Sequence, residues 1–439
     1  MPMMKLLLAM TIPSVVAQLV NLLYSVVDRI FIGHIPNIGT EALAGVGVTS
    51  STIILITAFS TIIGMGAAPL ASIALGKGDL IKAKYFLGNG FILLLIFAFI
   101  TTLITFLFME PILLFTGASE FTLAYAKEYL SIYLAGSVFV LVALGLNSFI
   151  VVQGRSDIAM WAVVLGAIIN IVLDYIFLFV LEWGVAGAAY ATIISQACSA
   201  LWIGLFLLSS KVNLALELPY MRLKRKIVFS TLALGCSPFV MSSTEALVGF
   251  VLNGSLKEFG DIHISSMAII QSSLLVASIP LGGFAQGFMP IIGYNYGANK
   301  LDRVKQCFKL SFIIMTSFNF ILILSMVAFP HIVASIFTND VELINMVENT
   351  LPTFLIGMTL FGMQRTCQSM FIALGQAKIS IFIAMLRKII LLIPLAIILP
   401  KFMGVMGIYT AESIADALAA LCCVTIFIIL FPKILSRKE

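Results

Sequence analysis

Along nearly the whole chain, apolar residues run on for about twenty positions, the length an α-helix needs to cross a bilayer, before a short polar break interrupts them. The runs show no two-residue alternation, which separates them from the ~10-residue alternating strands of a membrane barrel. Twelve runs are read, near 6–33, 42–75, 86–109, 123–150, 157–181, 185–208, 227–256, 262–293, 304–329, 343–374, 378–400 and 404–432. The opening "MPMMKLLLAM" is like a signal peptide, but its apolar run continues to "VVDRIFIG" with no small-residue cleavage site in place. It is read as a retained first span.

The polar breaks carry a second pattern. The longest, "SSKVNLALELPYMRLKRK" at 209–226, divides the spans six and six. Laying Pro69 on Pro290, a shift of 221 residues, sets "PLASIALGKGDLIKAK" on "PIIGYNYGANKLDRVK" and Gly76 on Gly297. At nearly the same shift "VQGRSDI" meets "ALGQAKI", and "GVAGAAYA" meets "GVMGIYTA". Six spans per copy is an even number, so both copies cross in the same sense and a pseudo-two-fold axis along the membrane normal follows. The expected fold is an all-α integral membrane protein of twelve transmembrane helices in two pseudo-symmetric six-helix lobes around a central cavity. Its parts are an N-lobe at 1–208, a cytoplasmic linker at 209–226 and a C-lobe at 227–439. Two lobes that rock about a shared midplane site are the physical basis of alternating access, so the repeat points to a transporter.

Composition agrees, with 61% hydrophobic and only 10% charged residues, against about a quarter charged in soluble domains. Basic residues gather in alternate breaks, with Lys77, Lys82, Lys84, Arg222, Lys224, Arg225 and Lys226 among them, while only Lys127, Lys257 and Lys401 flank the other side. The positive-inside rule then puts both termini in the cytoplasm. This asymmetry accounts for the net charge of +5, which gives no reason to invoke nucleic acid. Six cysteines and three histidines stand in no metal-ligand spacing. No paired acidic motif of the kind a membrane prenyltransferase needs is present, so neither an enzyme nor a cofactor is expected.

Charges inside the spans are few, and each costs ~2.5–3.5 kcal/mol at mid-bilayer even on the mildest scale. Asp28 lies in the first span with Tyr24 one turn before it, and Asp174 lies deep in the fifth with Asn170 one turn before it. A spacing of four puts each pair on one helical face. This repeated polar stripe suggests an inward-facing proton or cation site. Glu245, in "SPFVMSSTEALVGF", is the candidate carboxylate of the second lobe. Glu412, Asp416, Arg365, Arg387 and Lys388 are read as a structural salt-bridge group within that lobe. A desolvated carboxyl binds either a proton or a cationic substrate, and that competition is a coupling mechanism. One proton exchanged for one monovalent cation leaves ~1.4 kcal/mol per pH unit, and a second proton adds ~2.3 kcal/mol per 100 mV.

Taken together, "IPSVVAQLVNLLYSVVDRIFIG", "GMGAAPLASIALGKGD" and "NIVLDYIF" resemble the multidrug and toxic compound extrusion (MATE) family, in its DinF-type or MepA-type branch, over essentially the whole chain. The resemblance implies an efflux pump for organic cations, drugs and other amphipathic toxic compounds in a bacterial or archaeal inner membrane, driven by protons or sodium. A two-lobed chain contains a complete pathway, so a functional monomer is expected. Pro13 corresponds to that branch's bending proline of the first helix, Asp28 to the acid fifteen residues after it, and Asn170 and Asp174 to its N-lobe acid site. Glu245 resembles the C-lobe glutamate of the NorM-type branch. Many relatives have proline after the fifth-span aspartate where this chain has Tyr175, which questions the bend of that helix. The rival within transporters is a lipid-linked oligosaccharide flippase of a related two-lobed superfamily. Its cargo phosphate calls for a basic cluster, which the N-lobe lacks.

Overall fold

The structure, a computed structural model, describes residues 1–36, 38–209, 212–257 and 259–436; the side chains at 245–247, 249–251, 253, 254, 257 and 261 lie outside the description. The described residues form helices and no strand. The first six long helices are α1 (Met3–Gly33), α2 (Gly39–Gly76), α3 (Leu80–Leu107), α4 (Glu120–Val152), α5 (Ser156–Val180) and α6 (Gly184–Leu208). The next three are α7 (Arg225–Lys257), α8 (Asp261–Gly297) and α9 (Leu301–Ala328). After them come α10 (341–373), α11 (Ala377–Met403) and α12 (Val405–Ser436). Among the described residues, eleven of these segments have the length and apolarity of a membrane span. The remaining one, α10, is the expected tenth span in two helical pieces, Val341–Leu355 and Phe361–Ala373, joined by a 3₁₀ turn at Ile356–Leu360. Pro352 lies one turn before that junction, where its missing N–H weakens the ladder.

Helix starts follow from local chemistry. The Asp79 side chain accepts from the Lys82 N–H and caps α3, while Ser119 and Thr122 form a capping box that opens α4. The 221-residue repeat extends into the connections. Short helices not foreseen from hydropathy follow α3 and α9, at Met109–Phe115 and Pro330–Phe337. Left-handed residues recur too, Gly78 with Asn299 and Gly154 with Gly375. Each follows a helix end, where glycine or asparagine tolerates the positive φ that closes the last turn.

The halves meet through four helices. Gly283 and Gly287 of α8 lie against the backbone of α1, where an added Cβ would stand 2.7 Å from the Val15 Cα and 2.6 Å from the Thr11 Cα. The matching contact sets Gly66 of α2 on α7, with an added Cβ 2.6 Å from the Thr231 carbonyl oxygen and 2.8 Å from the Gly235 Cα. Gly66 and Gly287 are 221 residues apart, so α1–α8 and α2–α7 are one contact made twice, as a two-fold axis requires. Small residues let the backbones approach this closely. Nearer the ends of α2 and α8, the Ser72 hydroxyl donates to the Pro290 carbonyl at 2.8 Å. These contacts close the seam between the halves toward the face that bears both chain termini.

The connection between α6 and α7 is a strap fastened to the first half. Asn89 of α3, fully buried, donates to the Tyr220 and Arg222 carbonyls at 3.0 Å each and accepts from the Lys224 N–H at 2.8 Å. Gln153 exchanges two hydrogen bonds of 3.2 Å with the Leu214 backbone. Lys84 pairs with Glu217, and the Lys224 ammonium sits 3.4 Å from the centre of the Tyr85 ring.

Candidate functional site

Two places combine polarity with burial. The first is inside the first half, where α1, α4, α5 and α6 converge. Asp174 and Asn170, one turn apart on α5, are 0% and 1% exposed. Neither oxygen of Asp174 and neither side-chain polar atom of Asn170 has a hydrogen-bond partner, and the Asp28 Oδ1 lacks one as well. The Asp28 and Asp174 carboxyl groups lie against each other. Two carboxylates can bond directly only through a shared proton, and a dry site tolerates their joint charge only when a cation neutralises it. The structure thus brings together two acids that the sequence places on separate spans, with unpartnered oxygens able to take a proton or a small cation. Arg29, next to Asp28 in the chain, is exposed.

Four further residues belong to this cluster that sequence reading did not single out. Tyr129 and Tyr133, one turn apart on α4, stack at 6.4 Å and are almost wholly buried. Tyr129 lies beside Thr192 and near both aspartates, and Tyr24 lies beside Gln196 and near Asp28. Thr192 and Gln196 are again four apart, on α6. The i, i+4 spacing was the available signal, but tyrosine and threonine pack in apolar helices too readily to stand out.

The second place is a cavity of about 540 Å³ between the halves. From the first half Gln18, Asn21, Tyr24 and Asn147 line it; from the second, Ser242, Gln286, Arg365 and Arg387 do. Gln18 donates to Gln286 across the seam at 3.2 Å. Neither Asp28 nor Asp174 reaches the cavity wall. Tyr24, part of the wall and near Asp28, stands between this cavity and the acid pair. In the second half four of the five residues of the expected salt-bridge group, all but Arg365, pair with one another. Arg387 Nε donates to Asp416 Oδ1 at 2.5 Å and Lys388 Nζ to Glu412 Oε1 at 2.8 Å. The guanidinium of Arg387 lies 4.5 Å from the centre of the Phe361 ring. Glu245 falls in α7, but its side chain is outside the described residues; by the 221-residue shift its partner position is Tyr24, not Asp28.

Pro13 lies inside α1, which runs unbroken from Met3 to Gly33. The Thr11 and Ser14 hydroxyls around it donate back to the Leu7 and Met10 carbonyls at 2.8 and 3.0 Å, a pattern that loosens and bends helices. After Tyr175 the helix passes into a π turn, Ile176–Val180. The local irregularity thus exists without the family's proline, by widening of the turn.

Comparison with known proteins gives consistent matches. The MatE family model matches residues 13–176 and 238–398. The multidrug export protein MepA of Staphylococcus saprophyticus is 25% identical over 430 residues, covering 98% of this chain and 94% of that protein. The MepA protein of a Staphylococcus aureus strain is 25% identical over 432 residues with the same coverage. Among solved structures, a MATE in the bent conformation superposes with a TM-score of 0.92 at 22% identity, over 99% of this chain and 96% of that one. An outward-facing multidrug resistance MATE transporter of the MOP superfamily also gives 0.92 at 22% identity, over 100% and 98%.

Proposed function

This chain belongs to the MatE family, and from that premise we propose a secondary active multidrug exporter that moves organic cations and amphipathic toxic compounds by alternating access in exchange for protons. The observation that carries the coupling is the buried cluster in which Asp28 Oδ1, both polar atoms of the Asn170 side chain and both Asp174 oxygens lack partners. Unsatisfied groups of this kind are costly in a membrane interior and are explained when an ion occupies them for part of a cycle. Sodium is the second candidate ion, favoured by one detail: the unpartnered Asn170 amide oxygen adds a neutral ligand to the carboxylates, a donor set suited to a hard cation.

The coupling runs through separation rather than direct competition. A proton or cation at the acid pair changes the charge behind Tyr24 and so the packing of α1 on its neighbours. Cargo in the central cavity senses α1 through Gln18, Asn21 and Tyr24. The setting is a bacterial or archaeal inner membrane with both termini cytoplasmic, and the working unit is a monomer. The halves divide at the 209–226 strap, and Glu245 is a second, C-half site of coupling. A lipid-linked oligosaccharide flippase is disfavoured by the full-length likeness to multidrug export proteins.

The deciding experiment is ethidium efflux from liposomes containing the purified protein, under an imposed pH gradient and then a sodium gradient. Proton-dependent flux that disappears in Asp174→Asn supports the reading. Flux that follows sodium instead reassigns the ion. Flux that survives the substitution removes Asp174 from coupling.

A further inference from the structure

The turn between α4 and α5 and the turn between α10 and α11 are one feature made twice, with Gly154 and Gly375 at matching positions of the 221-residue repeat. In the second half the turn packs on α2, where a Cβ added to Gly375 would stand 3.4 Å from the Leu70 Cδ2 and 3.6 Å from the Ile73 Cδ1. The same shift carries Leu70 and Ile73 to Ile291 and Tyr294 of α8. Yet a Cβ added to Gly154 meets nothing within 4 Å, and between that turn and α8 lies a cavity of about 570 Å³. We propose that this cavity is a second ligand site, which takes an uncharged amphipath from the termini-bearing face and braces α8 against the first half, so that this face stays closed. The proposal rests on the alternating-access part of the export reading and adds a regulatory ligand to it.

The walls decide both the effect and the ligand. Every wall but α8 belongs to the first half, so the cavity exists while α8 lies against α1 and α2 and comes apart when this face opens. A ligand that fits one of two states shifts the balance toward it by its differential affinity. Val152 and Pro290 border both this cavity and the central one, so an occupant stands behind the wall of the cargo space itself. Leu6, Met10, Leu75 and Phe206 give an apolar floor on the first-half side, and Ile291 continues it on α8. Water over such a floor is poorly held, and an apolar body that displaces it gains affinity. Among the described lining residues Arg155 is the charged one, and Asp157 holds it through two contacts of 3.2 Å. The wall therefore carries no net charge, and an ionic ligand would enter without a counter-charge. Polarity marks the open copy: where the packed copy has Leu374, Ile73 and Ala74, this one has Gln153, Tyr294 and Asn295. Gln153 is taken up by the Leu214 backbone, which leaves Tyr294, Asn295 and Asn213 of the strap to meet a head group. A void left by mere loss of packing would keep an apolar lining; three changes toward hydrogen-bonding side chains at one unmade contact fit a site for a ligand with an apolar tail and a hydroxyl-bearing head.

The probe is n-octyl-β-D-glucoside, held well below the concentration at which it forms micelles. Its binding is read by equilibrium dialysis of the radiolabelled glycoside against the full chain in nanodiscs. Ile291→Trp, which fills the cavity from α8, is the reference for uptake by lipid. Gating is read on the chain with its native cysteines replaced and Ser242→Cys on the central cavity wall, by the rate at which an impermeant maleimide added from the side of the termini labels it. At about ten times its dissociation constant the glycoside should slow labelling about tenfold, because a ligand of the closed state alone depletes the open one by that factor. Ile291→Trp should bind about tenfold more weakly or worse and label at a rate the glycoside does not change. Equal uptake by both chains overturns the site, and a bound glycoside that leaves the labelling rate unchanged overturns the brace. Slowing of equal size in Ile291→Trp assigns the effect to the membrane and overturns the proposal too. Should Ile291→Trp not fold, Asn213→Trp, which fills the same space from the exposed strap, takes its place. A parent never labelled from that side sinks alternating access and the brace with it, while the dialysis still decides the site.

Discussion

Adding one methyl group at Gly287 should shift the resting balance of the two halves. A Cβ there would stand 2.6 Å from the Thr11 Cα and 2.7 Å from the Met10 carbonyl oxygen, both backbone atoms that no rotamer change can clear. Inserting a methylene into a packed contact costs about 1–3 kcal/mol. Alanine also gains about 0.5–1 kcal/mol over glycine in a helix, but α8 is helical in either state, so that gain cancels. The clash remains only while α1 and α8 are in contact, so the closed arrangement of the termini-bearing face loses about fivefold to 150-fold in population. The assay replaces the six native cysteines and introduces Ser242→Cys on the cavity wall. A membrane-impermeant maleimide added from the side of the termini then labels the cavity at a rate proportional to the open population. Gly47→Ala is the control, since a Cβ there meets nothing within 4 Å. Gly66→Ala, the symmetry mate, should act in the same direction. The reasoning fails if Gly287→Ala labels no faster than the parent, or if Gly47→Ala accelerates labelling equally.

Asp28→Asn and Asp174→Asn should each lower gradient-driven ethidium flux about tenfold or more, because one missing charge leaves the shared site unable to alternate; passive leak measured without a gradient should be unchanged. Arg387→Met strands the buried Asp416 carboxylate, a loss worth about 3–5 kcal/mol, and thermal unfolding in detergent should fall accordingly, with Arg387→Met/Asp416→Leu recovering most of it. Asn89→Ala removes three hydrogen bonds to the strap; at about 0.5–1.5 kcal/mol each, the strap should become cleavable by trypsin at Arg222 and Lys224 in the otherwise folded protein.

Much of this architecture is legible in the sequence because a lipid solvent makes polarity rare and therefore informative. Asp174 and Asn170 stand out against "NIVLDYIF", and the structure finds them buried without partners. Of Arg365, Arg387, Lys388, Glu412 and Asp416, read together as a salt-bridge group, the last four form it. What the sequence hides is direction. Nothing in the spacing of Arg365 and Arg387 tells that they border the central cavity, or that Asp28 and Asp174 stand behind Tyr24 and outside it. Tyr129 and Tyr133 were missed because a tyrosine ring satisfies an apolar helix as well as a polar site. The break in α10 escaped a reading based on hydropathy, which averages over Pro352 and Gly357. The short helices at Met109–Phe115 and Pro330–Phe337 fall in the breaks after the runs 86–109 and 304–329, where a segment of seven or eight residues is too short to show in hydropathy.

The glycine contact made twice also bears on ancestry. In a dimer of two identical six-helix chains, every wall residue would face its own copy, so an acid placed in one half would be placed in both. Joining the copies into one gene lifts that constraint. By the 221-residue shift, Arg365 stands where the first half has Leu144 and Arg387 where it has Gly166, while Asn170 and Asp174 answer to Leu391 and Leu395. The scaffold has kept its duplicate contacts, and its chemistry has parted: the first copy holds acids without a basic partner, and the second pairs its acids with arginine and lysine. A fused pair can carry two different walls on one scaffold, a division of labour that no homodimer could encode.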